Sequence, residues 1–350
     1  MSPREVTEPD QPGMRTRVIF GCSGAELSSA ERQFFVEARP WGFILFRRNI
    51  IDKNQVRLLI GSLRECVEDS RAPMLIDQEG GHVARLRPPL WKARPSAALF
   101  GELYASSPER AREAAYLNAR LMAYDLAELG LSVDCAPVLD VPVAGADAVI
   151  GDRAFARDPA IVIDLGRAVI QGMLDGGVLP VMKHIPGHGR ATADTHKALP
   201  HVTTAIEDLS ATDFVTFRSL NHCPMAMTAH VVFDSIDPQR PATTSPRIIR
   251  DVIRGEIGFD GVLISDDLSM DALKGPLSQR AKAALFAGCD IVLHCNGEME
   301  EMQQVAEEVT PLRDQCLKRC ETALAHLEPP EPLDIKAAEA RVAQLIGDSV

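Results

Sequence analysis

Lys183, His184, His188, Asp194 and His196 crowd into one stretch, VMKHIPGHGRATADTHKALP, at residues 181–200. Three of the chain's nine histidines lie there. Imidazoles and a carboxylate so close together suit three roles: ligating a metal, moving protons near neutral pH, or lining a solvated loop. Pro186, Gly187 and Gly189 mark a loop, and the apolar residues before them read as a strand that delivers Lys183 and His184 to its end.

The elements that must position this loop recur along the chain. Eight short apolar runs end in polar residues: 17–22, 42–46, 73–77, 132–140, 178–184, 224–230, 261–267 and 289–295. They are too short for helices and nearly continuous in apolar residues, as buried parallel strands are. Helical spacing fills the gaps, most clearly at 108–130, where Gly130 suits a C-cap, and at 245–258, where Ser245 suits an N-cap with Pro246 behind it. Strands alternating with helices predict an α/β fold, a single (β/α)8 barrel. An open doubly wound sheet is the alternative, weakened because no G-x-G-x-x-G follows the first run. The expected division is a disordered tail at 1–16, a barrel at 17–300 and C-terminal helices packed on it at 301–350.

Composition narrows the function. The 350 residues are 46% hydrophobic and 25% charged, an ordinary globular balance. With 37 basic and 49 acidic residues the net charge is −12. No long basic run appears, which argues against nucleic acid as a partner. The N-terminal residues lack a signal-peptide core, and no run reaches the roughly 20 apolar residues of a membrane span. A soluble cytoplasmic monomer, with neither membrane nor nucleic-acid partner, is the expectation. Eight cysteines are scattered, mostly in apolar runs and without a C-x-x-C pair; reduced, structural thiols are expected.

In such barrels chemistry sits where strands end. The third run ends in Asp77, Glu79, Gly80, Gly81, His82 and Arg85; the fourth ends at Asp140, before VIGDRAFARDP. The fifth ends in Lys183 and His184, the sixth in His230, the seventh in Ser265, Asp266 and Asp267. Any one strand-end Asp is commonly a cap or turn former, but charge at five of eight ends is not. Carboxylates accept from sugar hydroxyls, while Arg and Lys donate to sugar oxygens, so the ring suits a small carbohydrate. Aromatic residues at 5% are too few for an extended polysaccharide platform.

Four motifs, IDQEGGHVARL, IGDRAFARDP, KHIPGHGRATADTH and GFDGVLISDDLSM, closely resemble those of the β-N-acetylglucosaminidases of glycoside hydrolase family three, from about residue 17 to about residue 297. Within that family the resemblance is to single-domain bacterial cytoplasmic enzymes that trim muropeptides in cell-wall recycling. It implies Asp266 as nucleophile, His196 as general acid/base in a dyad with Asp194, and Asp77, Arg85, Arg153, Lys183 and His184 as the sugar-binding set. It also implies no cofactor and no metal. The implied substrate is N-acetylglucosamine linked β-1,4 to anhydro-N-acetylmuramic acid. His82, Ala154 and Thr195 stand where the family commonly has Arg, Ser and Ser.

The residues fit that chemistry. An Asp is ionised near neutral pH and can attack an anomeric carbon. Alternation along a strand keeps Asp266 and Asp267 from pointing the same way; the resemblance selects Asp266. A histidine with a reference pKa near ~6.5 suits proton transfer, and a neighbouring carboxylate favours its charged form. Gly187 and Gly189 would let the loop close over substrate. His188 is assigned to loop structure, and His230 is divided between core and site. Three rival functions remain: a phosphorylase of the same family, a metal-dependent barrel hydrolase using His184, His188, Asp194 and His196, and a non-catalytic sugar-binding barrel.

Overall fold

The computed structural model describes residues 14–145, 150–191 and 199–347. Eight strands close into a barrel: β1 (Thr16–Gly21), β2 (Pro40–Leu45), β3 (Met74–Ile76), β4 (Val133–Asp134), β5 (Leu179–Ile185), β6 (Met225–Thr228), β7 (Val262–Asp267) and β8 (Ile291–His294). Each is parallel to the next, and β8 pairs with β1 to complete the ring. All eight apolar runs are therefore barrel strands. The fourth is shorter than its run because Pro137, lacking an N–H, interrupts the regular ladder; Val138 resumes pairing opposite Lys183.

A helix follows every strand. Lys53–Cys66 shows why: its buried Val56, Leu59, Ile60, Leu63 and Cys66 form one apolar stripe, while Asp52 caps its first turn by accepting from the Gln55 N–H. Ser28 and Glu31 cap Ser29–Ala38 reciprocally, each side chain meeting the other's backbone N–H. Ser245 Oγ accepts from the Ile248 N–H as the sequence predicts. Each large aliphatic side chain taken from water contributes about 1.5–3 kcal/mol, and most lie between barrel and helices.

A second cluster fills the barrel's interior, from Ile19, Trp41 and Leu75 round to Ile264 and Leu293. Its lower end is stoppered by the helix Asp314–Leu324, which contributes Cys316, Cys320 and Ala323. Arg319 on that helix bonds Asp260 at 2.7 Å and Asp290 at 3.2 Å. The last helix, Ile335–Ile346, lies outside instead, its Ala338 and Val342 against Leu121. Arg15 and Thr16, placed in the tail by sequence, already join the fold: Arg15 pairs with Asp69 at 2.9 Å and Thr16 opens β1. All eight cysteines are free and buried. Among the described residues no helix is long and apolar enough to cross a membrane.

Candidate active site

The carboxyl ends of β2 to β8 surround a cavity of about 290 Å³. Its floor is the top of the barrel's interior cluster: Ile44, Met227, Leu293 and Cys295. Its wall carries Asp77, Glu79, Arg85, Arg153, Lys183, His184, His188, Asp266 and Asp267. The sequence-predicted Asp77, Arg85, Arg153, Lys183, His184 and Asp266 thus converge on one space, although they come from four strand ends. Asp194 and His196 fall at 192–198, outside the described residues, as does Thr195.

One side of the cavity is a chain of alternating charges. Arg85 meets Asp77 Oδ2 at 3.0 Å, and Asp77 Oδ1 meets Lys183 Nζ at 3.0 Å. Lys183 Nζ meets Glu79 Oε1 at 2.6 Å, and Arg153 grips both Glu79 oxygens at 2.8 Å. Burial raises the pKa of Asp77, but Lys183 and Arg85 overcome it and hold the carboxyl below the ordinary range. For Glu79 burial is likewise overcome by Lys183 and Arg153. Burial lowers Lys183, yet the two carboxylates hold its ammonium above its usual value. Three cations against two carboxylates leave one net positive charge. Lone-pair acceptors and N–H donors thus line one rigid wall, an arrangement suited to a polyhydroxylated ring.

Asp140 organises the next sector. Fully buried at the end of the fourth run, it accepts from the His184 ring at Nδ1 (2.7 Å), from the His184 N–H (3.2 Å) and from the His188 N–H (2.7 Å). Burial raises its pKa, but His184 and these bonds hold it below the usual range. Its Nδ1 contact leaves the opposite edge of the His184 ring available to a ligand. The Lys183–His184 peptide is cis, and the strand register shifts between Lys183 and Ile185; both consecutive side chains line the cavity.

Asp266 and Asp267 both border the cavity, contrary to simple alternation, because the register slips between Ile264 and Asp267. Their carboxylates are employed differently. Asp267 is consumed locally: it accepts from the Ser269 N–H (3.0 Å), the Ser269 hydroxyl (2.6 Å) and the Cys295 N–H (3.2 Å). Among the described residues Asp266 accepts only from the Asp267 N–H, at 2.8 Å, and its other oxygen has no hydrogen bond there. Burial raises the Asp266 pKa, while His230, His184 and the Asp267 N–H bring it below the usual range. A half-buried, ionised carboxylate facing a sugar-sized cavity is equipped to attack an electrophilic carbon.

Several site residues were not assigned from sequence. Glu79 was visible at its strand end but not read as the bridge between Lys183 and Arg153. Asp140 carried the same strand-end signal. Phe46, at the end of β2, lies 5.1 Å under the Arg85 guanidinium; nothing in its sequence context marks it. His188, read as loop structure, is buried in the cavity wall, its ring 5.4 Å from that of His184. Burial, with His184 beside it, pushes the His188 imidazole down to about 4. His82 pairs with Asp152 at 2.9 Å, joining the loops after β3 and β4. Ala154 is buried against Val138 and Ile150. Among the described residues no group of three His, Cys, Asp or Glu side chains could hold a metal ion.

Comparison with known proteins matches this frame. The model of the glycosyl hydrolase family 3 N-terminal domain fits residues 23–327, a span that runs from just after β1 through the stopper helix. A beta-hexosaminidase of Alkalilimnicola ehrlichii is 42% identical over 285 residues, 80% of each chain. Two crystal structures of NagZ from Neisseria gonorrhoeae, native and in complex with N-trifluoroacetyl-D-glucosamine, superpose with a TM-score of 0.85 at 30% identity. They cover 95% of this chain and 98% and 99% of theirs. With a family model that fits most of the chain and a relative 42% identical over 80% of it, this chain belongs to glycosyl hydrolase family 3 and is a glycosidase.

Proposed function

We propose that the protein is a retaining exo-β-N-acetylglucosaminidase. It removes the non-reducing terminal N-acetylglucosamine from peptidoglycan fragments, N-acetylglucosaminyl-anhydro-N-acetylmuramic acid with or without peptide, during cell-wall recycling. It works as a cytoplasmic monomer. The observation that carries this reading is the Asp266 carboxylate, ionised and with one oxygen uncommitted among the described residues, in the same cavity as the Asp77–Lys183–Glu79–Arg153 chain. The description of the relative as a beta-hexosaminidase, and the N-acylated glucosamine analogue bound to the gonococcal protein, support the acetamido sugar.

In the proposed reaction Asp77, Arg85, Arg153, Lys183 and His184 hold the sugar hydroxyls. An Asp266 oxygen bonds to the anomeric carbon as the glycosidic carbon–oxygen bond breaks. The departing oxygen takes a proton from His196, which Asp194 orients. Water then attacks the anomeric carbon, gives a proton back to His196, and the bond to Asp266 breaks, so configuration is retained. The test is hydrolysis of a chromogenic β-N-acetylglucosaminide beside the matching β-glucoside. Asp266→Asn should lose about a thousand-fold or more, the scale of removing one member of a catalytic unit, and His196→Ala should be strongly impaired. Undiminished turnover by Asp266→Asn would refute the covalent mechanism. A sugar 1-phosphate formed in phosphate buffer would assign the chain to phosphorolysis instead.

A further inference from the structure

His230 ends the sixth apolar run, yet the proposed mechanism gives it no task. The regular backbone ladder between β6 and β7 stops at Ile264 opposite Met227. Beyond it a chain of side chains takes over. The Asp266 N–H donates to Thr228 Oγ1 at 3.3 Å. The hydroxyls of Thr228 and Thr243 are 2.8 Å apart. Thr243 Oγ1 lies 2.7 Å from His230 Nδ1, and His230 Nε2 lies 3.0 Å from the carbonyl oxygen of Asp267. Thr228, Thr243 and His230 are all completely buried. The chain leaves the backbone at the N–H of Asp266 and returns to it at the carbonyl of Asp267.

Counting protons fixes the directions. A carbonyl oxygen only accepts, so His230 Nε2 carries a hydrogen. With a neutral ring Nδ1 accepts, so Thr243 donates to it, Thr228 donates to Thr243, and the Thr228 oxygen stays open for the Asp266 N–H. With a charged ring Nδ1 donates to Thr243, whose own proton turns to the Ala229 carbonyl at 3.1 Å. The three side chains are satisfied in both states, and only a hydroxyl at position 243 serves both. Buried polar chains that are fully satisfied hold their geometry tightly.

We infer that Thr228, Thr243 and His230 form a positioning relay for the glycosidase reaction. The relay clamps both ends of the Asp266–Asp267 segment and keeps the Asp266 carboxylate aimed into the cavity. None of the three lines the cavity; they act through Asp266, and the inference rests on Asp266 being the nucleophile. Thr243→Val keeps the shape and removes the hydroxyl, while Thr243→Ser keeps the hydroxyl. Misaiming a nucleophile by a fraction of an ångström should lower kcat by about 10- to 100-fold in Thr243→Val. Product inhibition by N-acetylglucosamine, which reads the sugar-binding wall, should change by less than about twofold, because ground-state binding and transition-state stabilisation separate in this way. Thr243→Ser should recover most of kcat. Wild-type kcat in Thr243→Val overturns the relay, as does a Ser variant no better than Val, or product inhibition weakened in step with kcat. If Thr243→Val does not fold, Thr228→Val and Thr228→Ser apply the same comparison from the other end. Asp266→Asn, assayed alongside, separates the two readings: turnover kept there removes the nucleophile itself, whereas turnover lost there with an active Thr243→Val removes only the relay.

Discussion

Asp77, Glu79, Asp140 and Asp266 are held below the ordinary carboxylate range, and His188 is held down at about 4. In every case the fold favours the deprotonated form, so the unfolded chain binds more protons and stability rises with pH. The two residue types act in different windows. An unfolded histidine titrates near ~6.5, so the His188 contribution is complete above that value and lost as pH falls toward about 4. The carboxylates contribute above their unfolded values near ~4 and lose that contribution below them. On these groups alone, melting temperature should be level near neutrality, decline gently from about pH 6.5 to 4 and collapse below that. Asp134 and Asp213, whose pKa burial raises, act in the opposite sense above about pH 4. His188→Asn should shrink the gentle decline and keep the collapse; it should not erase the decline, because burial also lowers His294. Asp77→Asn should soften the collapse. Thermal melts from pH 3 to 8 decide this, and a His188→Asn curve parallel to wild type throughout would show that His188 is not held neutral.

At the scale of elements, Gly187 and Gly189 read from sequence as hinges. The structure gives Gly189 a different reason. A Cβ there would sit 2.1 Å from the Val141 carbonyl oxygen and 2.3 Å from its carbon, backbone atoms that cannot swing aside. The Val143 N–H also donates to the Gly189 carbonyl, and Arg190 is pinned to Asp213 at 2.7 Å. Two loops are thus pressed together at the root of the segment carrying His188. Gly189→Ala should part them, costing about 1–3 kcal/mol of stability, as overpacking does. It should also lower kcat/KM about tenfold by moving His188 and His184. Melts and turnover on the one variant measure both, and an unchanged protein would mean that the loops have room to separate. The same contrast explains what the sequence disclosed. Strands buried on both faces are written as apolar runs, and all eight were legible. Strand-end charges were legible as a set. The partnerships were not: Glu79 with Arg153 and Asp140 with His184 and His188 join the ends of neighbouring strands far apart in sequence, and Thr243 with His230 spans the irregular segment after β6. Register was also hidden, because a slip near Asp267 leaves no trace in residue type. The short sheet of His201–Val202, Val232–Phe233 and Asp237–Pro241 was missed because two of its three strands have only two residues and the third is exposed and polar.

For the whole molecule, the two C-terminal helices should be unequal. Asp314–Leu324 completes the barrel's interior cluster, whereas Ile335–Ile346 covers a small patch on the outside. Ending the chain after Glu328 should leave a cooperatively folding enzyme with a modestly lower melting temperature. Ending it after Arg313 should expose the barrel floor, leave Asp290 with one ion-pair partner fewer, and abolish a sharp transition. Circular dichroism melts of both truncations test this, and equal behaviour would contradict the division of labour. The stopper also bears on chemistry far from the sugar. Two of the eight thiols, Cys316 and Cys320, join Cys135 and Cys295 in the barrel's interior cluster from this helix, and the remaining four are buried elsewhere in the fold. Toward oxidants and alkylating electrophiles the native chain should therefore offer a single sulfur, Cys295, and only through the sugar cavity. The other seven gain reactivity only when the chain opens, so their redox silence is a property of closure and not of composition.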